Sequence, residues 1–301
     1  MNEMTRPMVC NPVILGPVDD RGAAARVLGR IAELGLQKNA WEIDTFGYTV
    51  LTPDQVAPAG FTDGLRDHIL DEAAKVSGER PSLDSGTQDS PFLTFLGRTQ
   101  FLPEILFTDR AFEQAMMNDN ILALVTYMLG ESCLMTAMNA VVKGPGPEYL
   151  PLHVDTPEPS PLPPYATTAN VTWLLTDYDK ANGGTFFLPG SNRWCRAPMY
   201  PESIDLEPVV TPEVPAGSVL IWHGNVWHGA WPRTTPGVRV SLLTYFARYY
   251  IRDQRDDAVG HYSERVTDEM LARNPERFAV LAGKKRGDVC DEQHRRTSMF
   301  A

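Results

Sequence analysis

The chain has 301 residues, 43% of them hydrophobic and 22% charged, which excludes a disordered or low-complexity polymer and leaves enough apolar mass for a sizeable core. A formal net charge of −11 repels nucleic-acid phosphates and anionic lipid surfaces, so no nucleic acid and no membrane is expected as a partner. No run approaches the roughly 20 apolar residues of a membrane span, and no secretory pattern opens the sequence. Cys10, Cys133, Cys195 and Cys290 lie far apart without zinc or redox spacing, which fits reduced thiols and a cytoplasmic protein.

In chain order, Ala23, Val27, Leu28, Ile31 and Leu34 recur at helical spacing and predict an amphipathic helix over 21–34. Residues 47–51 read as a short strand, and Thr52-Pro53-Asp54-Gln55 opens a second helix, with a capping residue before a first-position proline. A longer helix is predicted over 110–129, with Phe112, Ala115, Met116, Ile121, Leu122, Leu124, Val125 and Met128 on its apolar face and Gly130 as its stop. From Met135 the texture changes to β-rich runs at 135–142, 169–175, 185–188, 218–222 and 238–246, separated by Gly and Pro. Short strands with turn signals between them predict a sandwich or barrel, not a doubly wound sheet. Two long irregular segments, 156–168 with five prolines and 192–215, have the length of binding loops or lids. Beyond Asp253 the chain is mostly charged, with one short helix expected near 274–283.

Within the β-rich part, His153-Val154-Asp155 is followed by His228 and, eleven residues later, by Arg239. Two imidazoles and a carboxylate on one face of a metal leave its other positions open, an arrangement suited to non-heme iron(II) handling O2. Residues two apart on a strand share a face, so His153 and Asp155 can present a nitrogen and an oxygen to one ion. For the second histidine, His223 and His228 are both available. Arg239 favours His228: if the chain turns between 231 and 237, the guanidinium returns on the next strand and can grip a carboxylate in the same cavity. Thr234, at the same spacing from His223, cannot do this, which leaves His223 a supporting or structural role.

His153-x-Asp155, Asn182-Gly183-Gly184-Thr185-Phe186-Phe187-Leu188-Pro189-Gly190-Ser191, Gly217-Ser218-Val219-Leu220-Ile221-Trp222-His223, His228-Gly229-Ala230 and Arg239, in that order, resemble the motifs of the phytanoyl-CoA dioxygenase family of iron(II)- and 2-oxoglutarate-dependent oxygenases. The resemblance covers roughly 47–249. It implies a mainly β fold with flanking helices, built on a double-stranded β-helix (a jelly-roll, cupin-like core). It further implies one oxygenase domain over 1–301, with a helical buttress over about 1–130, the core over about 131–250 and a tail over 251–301. By position it makes His153, Asp155 and His228 the iron ligands and Arg239 the partner of the distal carboxylate of 2-oxoglutarate. Thr185 is expected as a second cosubstrate contact. Along the strand at 169–175, either Asn170 with Thr172 or Val171 with Trp173 faces the cavity; Asn170 is taken as the cosubstrate-side residue. Two positions depart from the family pattern: Asn192 stands where a histidine usually follows Pro-Gly-Ser, and Leu150 where a glutamine often precedes the first ligand.

The implied chemistry is oxidation of a C–H bond by O2, with release of succinate and CO2. Halogenating relatives generally lack the carboxylate ligand, so Asp155 favours hydroxylation, desaturation or related outcomes. Arg98 and Gln100 are candidate substrate contacts, and Trp194, with Met199 and Tyr200, offers an aromatic surface on the second long loop. No basic cluster answers to the phosphates of coenzyme A, which favours a small organic or natural-product-like substrate over an acyl-CoA. A non-catalytic jelly-roll that only binds a small molecule is the competing reading. A metal enzyme without 2-oxoglutarate is another, but leaves Arg239 without a task. Oligomeric state has no signature in the sequence.

Overall fold

The computed structural model describes residues 22–85, 99–147, 149–251 and 258–285. The chain begins with α1 (Ala23–Glu33) and α2 (Gln37–Phe46), then β1 (Tyr48–Leu51), α3 (Pro53–Val56), α4 (Phe61–Ser77) and β2 (Thr99–Leu102). Thr52 and Gln55 form a reciprocal capping box at the start of α3. The helix expected over 110–129 is two helices, α5 (Arg110–Met116) and α6 (Asp119–Leu129). Asn118 causes the break: its side-chain oxygen accepts from the Ile121 N–H at 3.1 Å and starts a new helix where a continuous one would run. The tail holds α7 (Ala258–Arg265), α8 (Asp268–Arg273) and α9 (Glu276–Leu281), of which only α9 is predicted.

Between them lie β3 (Leu134–Lys143), β4 (Leu150–His153), β5 (Thr168–Leu174), β6 (Thr185–Phe187), β7 (Val219–His223), β8 (His228–Ala230) and β9 (Arg239–Ala247). These strands form a jelly-roll of two antiparallel sheets, one six-stranded in the order β1-β7-β5-β9-β3-β2 and one three-stranded in the order β4-β8-β6. The segment ahead of residue 131 is thus more than a helical buttress, because β1 and β2 close both edges of the larger sheet.

Strand alternation divides the larger sheet into two working faces. Val171, Trp173, Val219, Ile221, Val240, Leu242 and Phe246 point outward and share one core with Leu65, Ile69, Phe112 and Leu124 of the helices. Burial of each such side chain contributes about 1.5–3 kcal/mol. The opposite face supplies Thr172, Trp222, Arg239 and Ser241 to a cavity closed on its other side by β4, β6 and β8. Val171 and Trp173 are therefore core, and the alternative pair, Asn170 and Thr172, faces inward.

Gly229, the middle residue of β8, has no room for a side chain. A Cβ there would run into the Leu150 carbonyl of β4 and the Phe186 ring of β6. Gly229→Ala should destabilise the fold by about 1–3 kcal/mol through overpacking and weaken metal binding by displacing His228. A denaturant midpoint and a metal titration both unchanged from wild type would refute this.

Candidate metal centre and its cavity

His153 ends β4 and His228 begins β8; the register places them opposite each other, with ring centroids 4.3 Å apart. Asp155 lies past the end of β4, so strand alternation is not what aligns it with His153. Its N–H instead donates to the Gly224 carbonyl at 2.9 Å, tying it to the turn that leads into His228. The three residues form a cluster whose candidate ligand atoms all lie within 4.8 Å of one another.

The imidazoles are oriented for coordination. His153 Nδ1 is 2.9 Å from the Pro151 carbonyl, and His228 Nδ1 is 3.0 Å from the Val226 carbonyl. A carbonyl only accepts, so Nδ1 carries the proton in each ring and the lone pair of the neutral form sits on Nε2. His228 Nε2 faces Asp155 Oδ2 at 3.0 Å, and His153 Nε2 lies 3.7 Å from Asp155 Oδ1. Burial disfavours the Asp155 charge, but the His228 charge and hydrogen bond, the His153 charge and the Trp222 N–H outweigh it and hold the carboxyl down at about 2. Burial likewise opposes a charged His228, yet Asp155 more than offsets it and raises that imidazole above its ordinary value.

Asn170 does not line the cavity. Its Nδ2 donates to Asp155 Oδ2 at 2.9 Å, and Trp222 Nε1 donates to the same oxygen at 3.3 Å, so both side chains hold the carboxylate. His223 stands outside the cluster: its Nδ1 accepts the Asn225 N–H at 3.0 Å, and burial, reinforced by the Arg248 charge, pushes it down to about 4.

Arg239, the first residue of β9, reaches the same cavity from the opposite sheet. One of its terminal nitrogens donates to the Gly183 carbonyl and its guanidinium lies 5.1 Å over the Tyr178 ring. Among the described residues no carboxylate pairs with it, and its buried Nε has no hydrogen-bond partner. The buried hydroxyls of Thr172 and Ser241 are also unpartnered, and both line the cavity, as does Thr185. Buried donors left unmade are costly, and these converge on one cavity. Ser241 was findable from sequence, because Arg239, Ser241, Leu243 and Tyr245 alternate onto the cavity face of β9. Tyr178 and Lys143 also line the cavity and carried no sequence signal.

The cavity has a volume of about 200 Å³, and its lining includes Phe101 and Tyr149, which are 42% and 40% exposed. The expected substrate contacts fare differently. Arg98 lies outside the described residues. Gln100 faces away from the cavity and donates to the Ala73 carbonyl of α4 at 3.2 Å, while Thr99 and Phe101, its neighbours in alternation, face in. Trp194 is packed edge-on against Trp227 at 4.8 Å and does not reach the cavity. No residue of either long loop lines it. Residues 156–168 are pinned by Thr156 and Asn225, the latter also donating to the Pro163 carbonyl at 2.8 Å. Leu206 and Val209 of the second loop cover Trp227 on the outside of the small sheet.

Because Asn170 and Trp222 both hold Oδ2, removing one donor should loosen the carboxylate without removing a ligand. Asn170→Ala is expected to weaken metal binding roughly 10- to 100-fold with little change in unfolding midpoint. Wild-type metal affinity in that variant would show that Asp155 needs no such support.

The two-sheet architecture recurs in solved proteins. HygX from Streptomyces hygroscopicus, determined with nickel and 2-oxoglutarate bound, superposes with a TM-score of 0.55 at 16% identity, over 71% of this chain and 88% of its own. The non-heme alpha ketoglutarate dependent epimerase SnoN from nogalamycin biosynthesis superposes with a TM-score of 0.51 at 18% identity, over 72% of this chain and 83% of its own. At such identities the likeness establishes the jelly-roll fold. In sequence, the chain is 32% identical over 158 residues to Dioxygenase af480 of Aspergillus fumigatus, covering 52% of this chain and 50% of that protein. It is 30% identical over 122 residues to Dioxygenase ALT11 of Alternaria alternata, covering 39% of each. The chain thus spans half the length or less of these two curated relatives. The family model described as phytanoyl-CoA dioxygenase (PhyH) matches residues 56–241, a span that takes in the His-Asp-His cluster, the Gly-Gly-Thr turn and Arg239, and the chain belongs to that family.

Proposed function

We propose that the protein is an iron(II)- and 2-oxoglutarate-dependent dioxygenase that oxidises a C–H bond of a small, natural-product-like organic substrate. The observation that carries this reading is the pairing, in one cavity, of a convergent His-Asp-His cluster with a buried arginine that lacks an acidic partner among the described residues. His153, Asp155 and His228 supply the nitrogen and oxygen donors that suit iron(II) and leave its remaining positions open. Arg239, with the hydroxyls of Thr185 and Ser241, suits the distal carboxylate of a dicarboxylic keto acid. When bound, iron and 2-oxoglutarate supply the oxygen chemistry, releasing succinate and CO2.

The chain's own residues bind, orient and exclude water. Asp155, kept ionised by its neighbours, would hold the metal with the two imidazoles and leave less room for another anion there, which supports hydroxylation, desaturation or related outcomes. Trp222, Leu243 and Tyr245 wall the cavity and limit water. The substrate enters past Phe101 and Tyr149, whose exposed rings suit an uncharged or aromatic organic surface. Two neighbours in fold, SnoN and HygX, are described with natural products: nogalamycin for the first and hygromycin B for the second. They support the same substrate class here. Among the described residues no helix is long and apolar enough to cross a membrane.

Succinate should form from 2-oxoglutarate only with ferrous iron, and His153→Ala or Asp155→Ala should abolish that formation. Undiminished turnover in either variant, or none in iron-reconstituted wild type across a broad substrate panel, would remove the proposal. Arg239→Leu should weaken 2-oxoglutarate binding roughly 100-fold, as expected for loss of a buried charge partner, while leaving metal affinity near wild type. Equal cosubstrate affinity in the two proteins would strip Arg239 of this role.

A further inference from the structure

The turn between β5 and β6 contains a buried tyrosine, packed in a small core with Leu174, Phe187, Leu220 and Trp222. Tyr178 is 2% exposed. Its Oη accepts the Thr185 N–H at 2.9 Å and lies 2.7 Å from Thr185 Oγ1. Those are the only hydrogen bonds of Tyr178 Oη among the described residues, so its own proton has a single acceptor, Thr185 Oγ1. If Thr185 donated in that pair, the buried phenol proton would be left unsatisfied, at a cost of about 1–3 kcal/mol. The arrangement that satisfies both hydroxyls has the tyrosine donating, which leaves the Thr185 proton to point elsewhere. Thr185 lines the cavity.

The surrounding turn is built around this contact. Gly183, at φ +75°, turns its carbonyl to one Arg239 nitrogen. Gly184 has no side chain because a Cβ would sit 3.0 Å from the Tyr178 ring and 2.7 Å from the Asp179 carbonyl. The Arg239 guanidinium rests over the same ring at 5.1 Å, within cation–π range. One side chain therefore touches both groups that would face the cosubstrate carboxylate.

We infer that Tyr178 is a positioning residue: by donating to Thr185 Oγ1 it turns the Thr185 hydroxyl proton into the cavity, where with Arg239 it binds a carboxylate of the ligand. The inference rests on the 2-oxoglutarate reading for the identity of that ligand. It assigns the Gly183-Gly184-Thr185 segment a task, a preset donor beside a preset cation, and makes Tyr178 a determinant of selectivity for dicarboxylates over monocarboxylic keto acids.

Calorimetric titration of the manganese(II)-loaded protein with 2-oxoglutarate, glutarate and 2-oxobutyrate tests it; the last has the keto-acid end without the second carboxylate. Tyr178→Phe keeps the ring under Arg239 and removes only the hydroxyl. It should weaken both dicarboxylates about tenfold, the value of one hydrogen bond to a charged group, and leave 2-oxobutyrate within about twofold. Thr185→Val should do the same, Thr185→Ser should bind as wild type, and the Tyr178→Phe/Thr185→Val double variant should lose no more than Thr185→Val alone. Unchanged affinity in Tyr178→Phe, losses that multiply in the double variant, or an equal loss for 2-oxobutyrate would each overturn the assignment. Should Tyr178→Phe fail to fold, equal dicarboxylate binding by Thr185→Val and Thr185→Ser overturns it as well. Wild type that binds glutarate but not 2-oxoglutarate would sink the cosubstrate reading while leaving Tyr178 its role; wild type that binds neither dicarboxylate removes both.

Discussion

The site depends on one backbone pairing, the antiparallel register that sets His153 of β4 against His228 of β8. Directly opposed residues on neighbouring strands have Cβ atoms about 4.5–5.5 Å apart, close enough for two imidazoles to share an ion and too close for both to be protonated cheaply. Asp155 resolves the conflict by placing its negative charge between them. It is not held by the strand but by a bond from its N–H to Gly224, in the same turn that delivers His228. A single turn thus sets both the second histidine and the carboxylate. Its tightness has a steric basis: a Cβ on Gly224 would collide with the Thr168 hydroxyl.

The cavity is electrically polar from end to end. Asp155 and its two imidazoles hold one end, and Arg239 the other, with a second buried guanidinium behind it. Arg233 is caged by the Asn182 side chain and the carbonyls of Gly237 and Pro236. Burial, then the Arg239 charge, pushes its pKa down to about 10. Two like charges in a weakly screened interior raise the energy of the empty state, so an anion entering this end relieves repulsion as well as forming hydrogen bonds. The carbonyls and the nearby Asp179 charge stabilise Arg233.

Much of this was legible in the chain and some was not, for identifiable reasons. The apolar spacing of α1 and the runs of β3, β5, β7 and β9 are long enough for periodicity to register. β4 and β8, which carry the histidines, span four and three residues, too short for alternation to stand out. α2 has no apolar stripe to read, whereas Leu65, Ile69, Leu70 and Ala73 do mark α4. The break at Asn118 is hidden because a capping asparagine looks like any polar residue in a helix. The metal cluster could be proposed from His-x-Asp and a later histidine, and Arg239 from its spacing. For Asn170, sequence reveals which face a residue takes but not what it meets there; the residue it meets, Asp155, is fifteen positions away and off the strand. Gln100 lies one step of alternation from Thr99 and Phe101, which hold the cavity face.

Both imidazoles are aimed by carbonyls two residues upstream, at Pro151 and Val226. Main-chain oxygens belong to every amino acid, so the orientation of the ligands is largely indifferent to side-chain replacement at those two positions. The mouth, by contrast, is built from side chains, Phe101 and Tyr149 among them. Mutational robustness and mutational freedom are thereby separated in space: a lineage can remodel the entrance to admit new molecules without having to rediscover how to hold a metal.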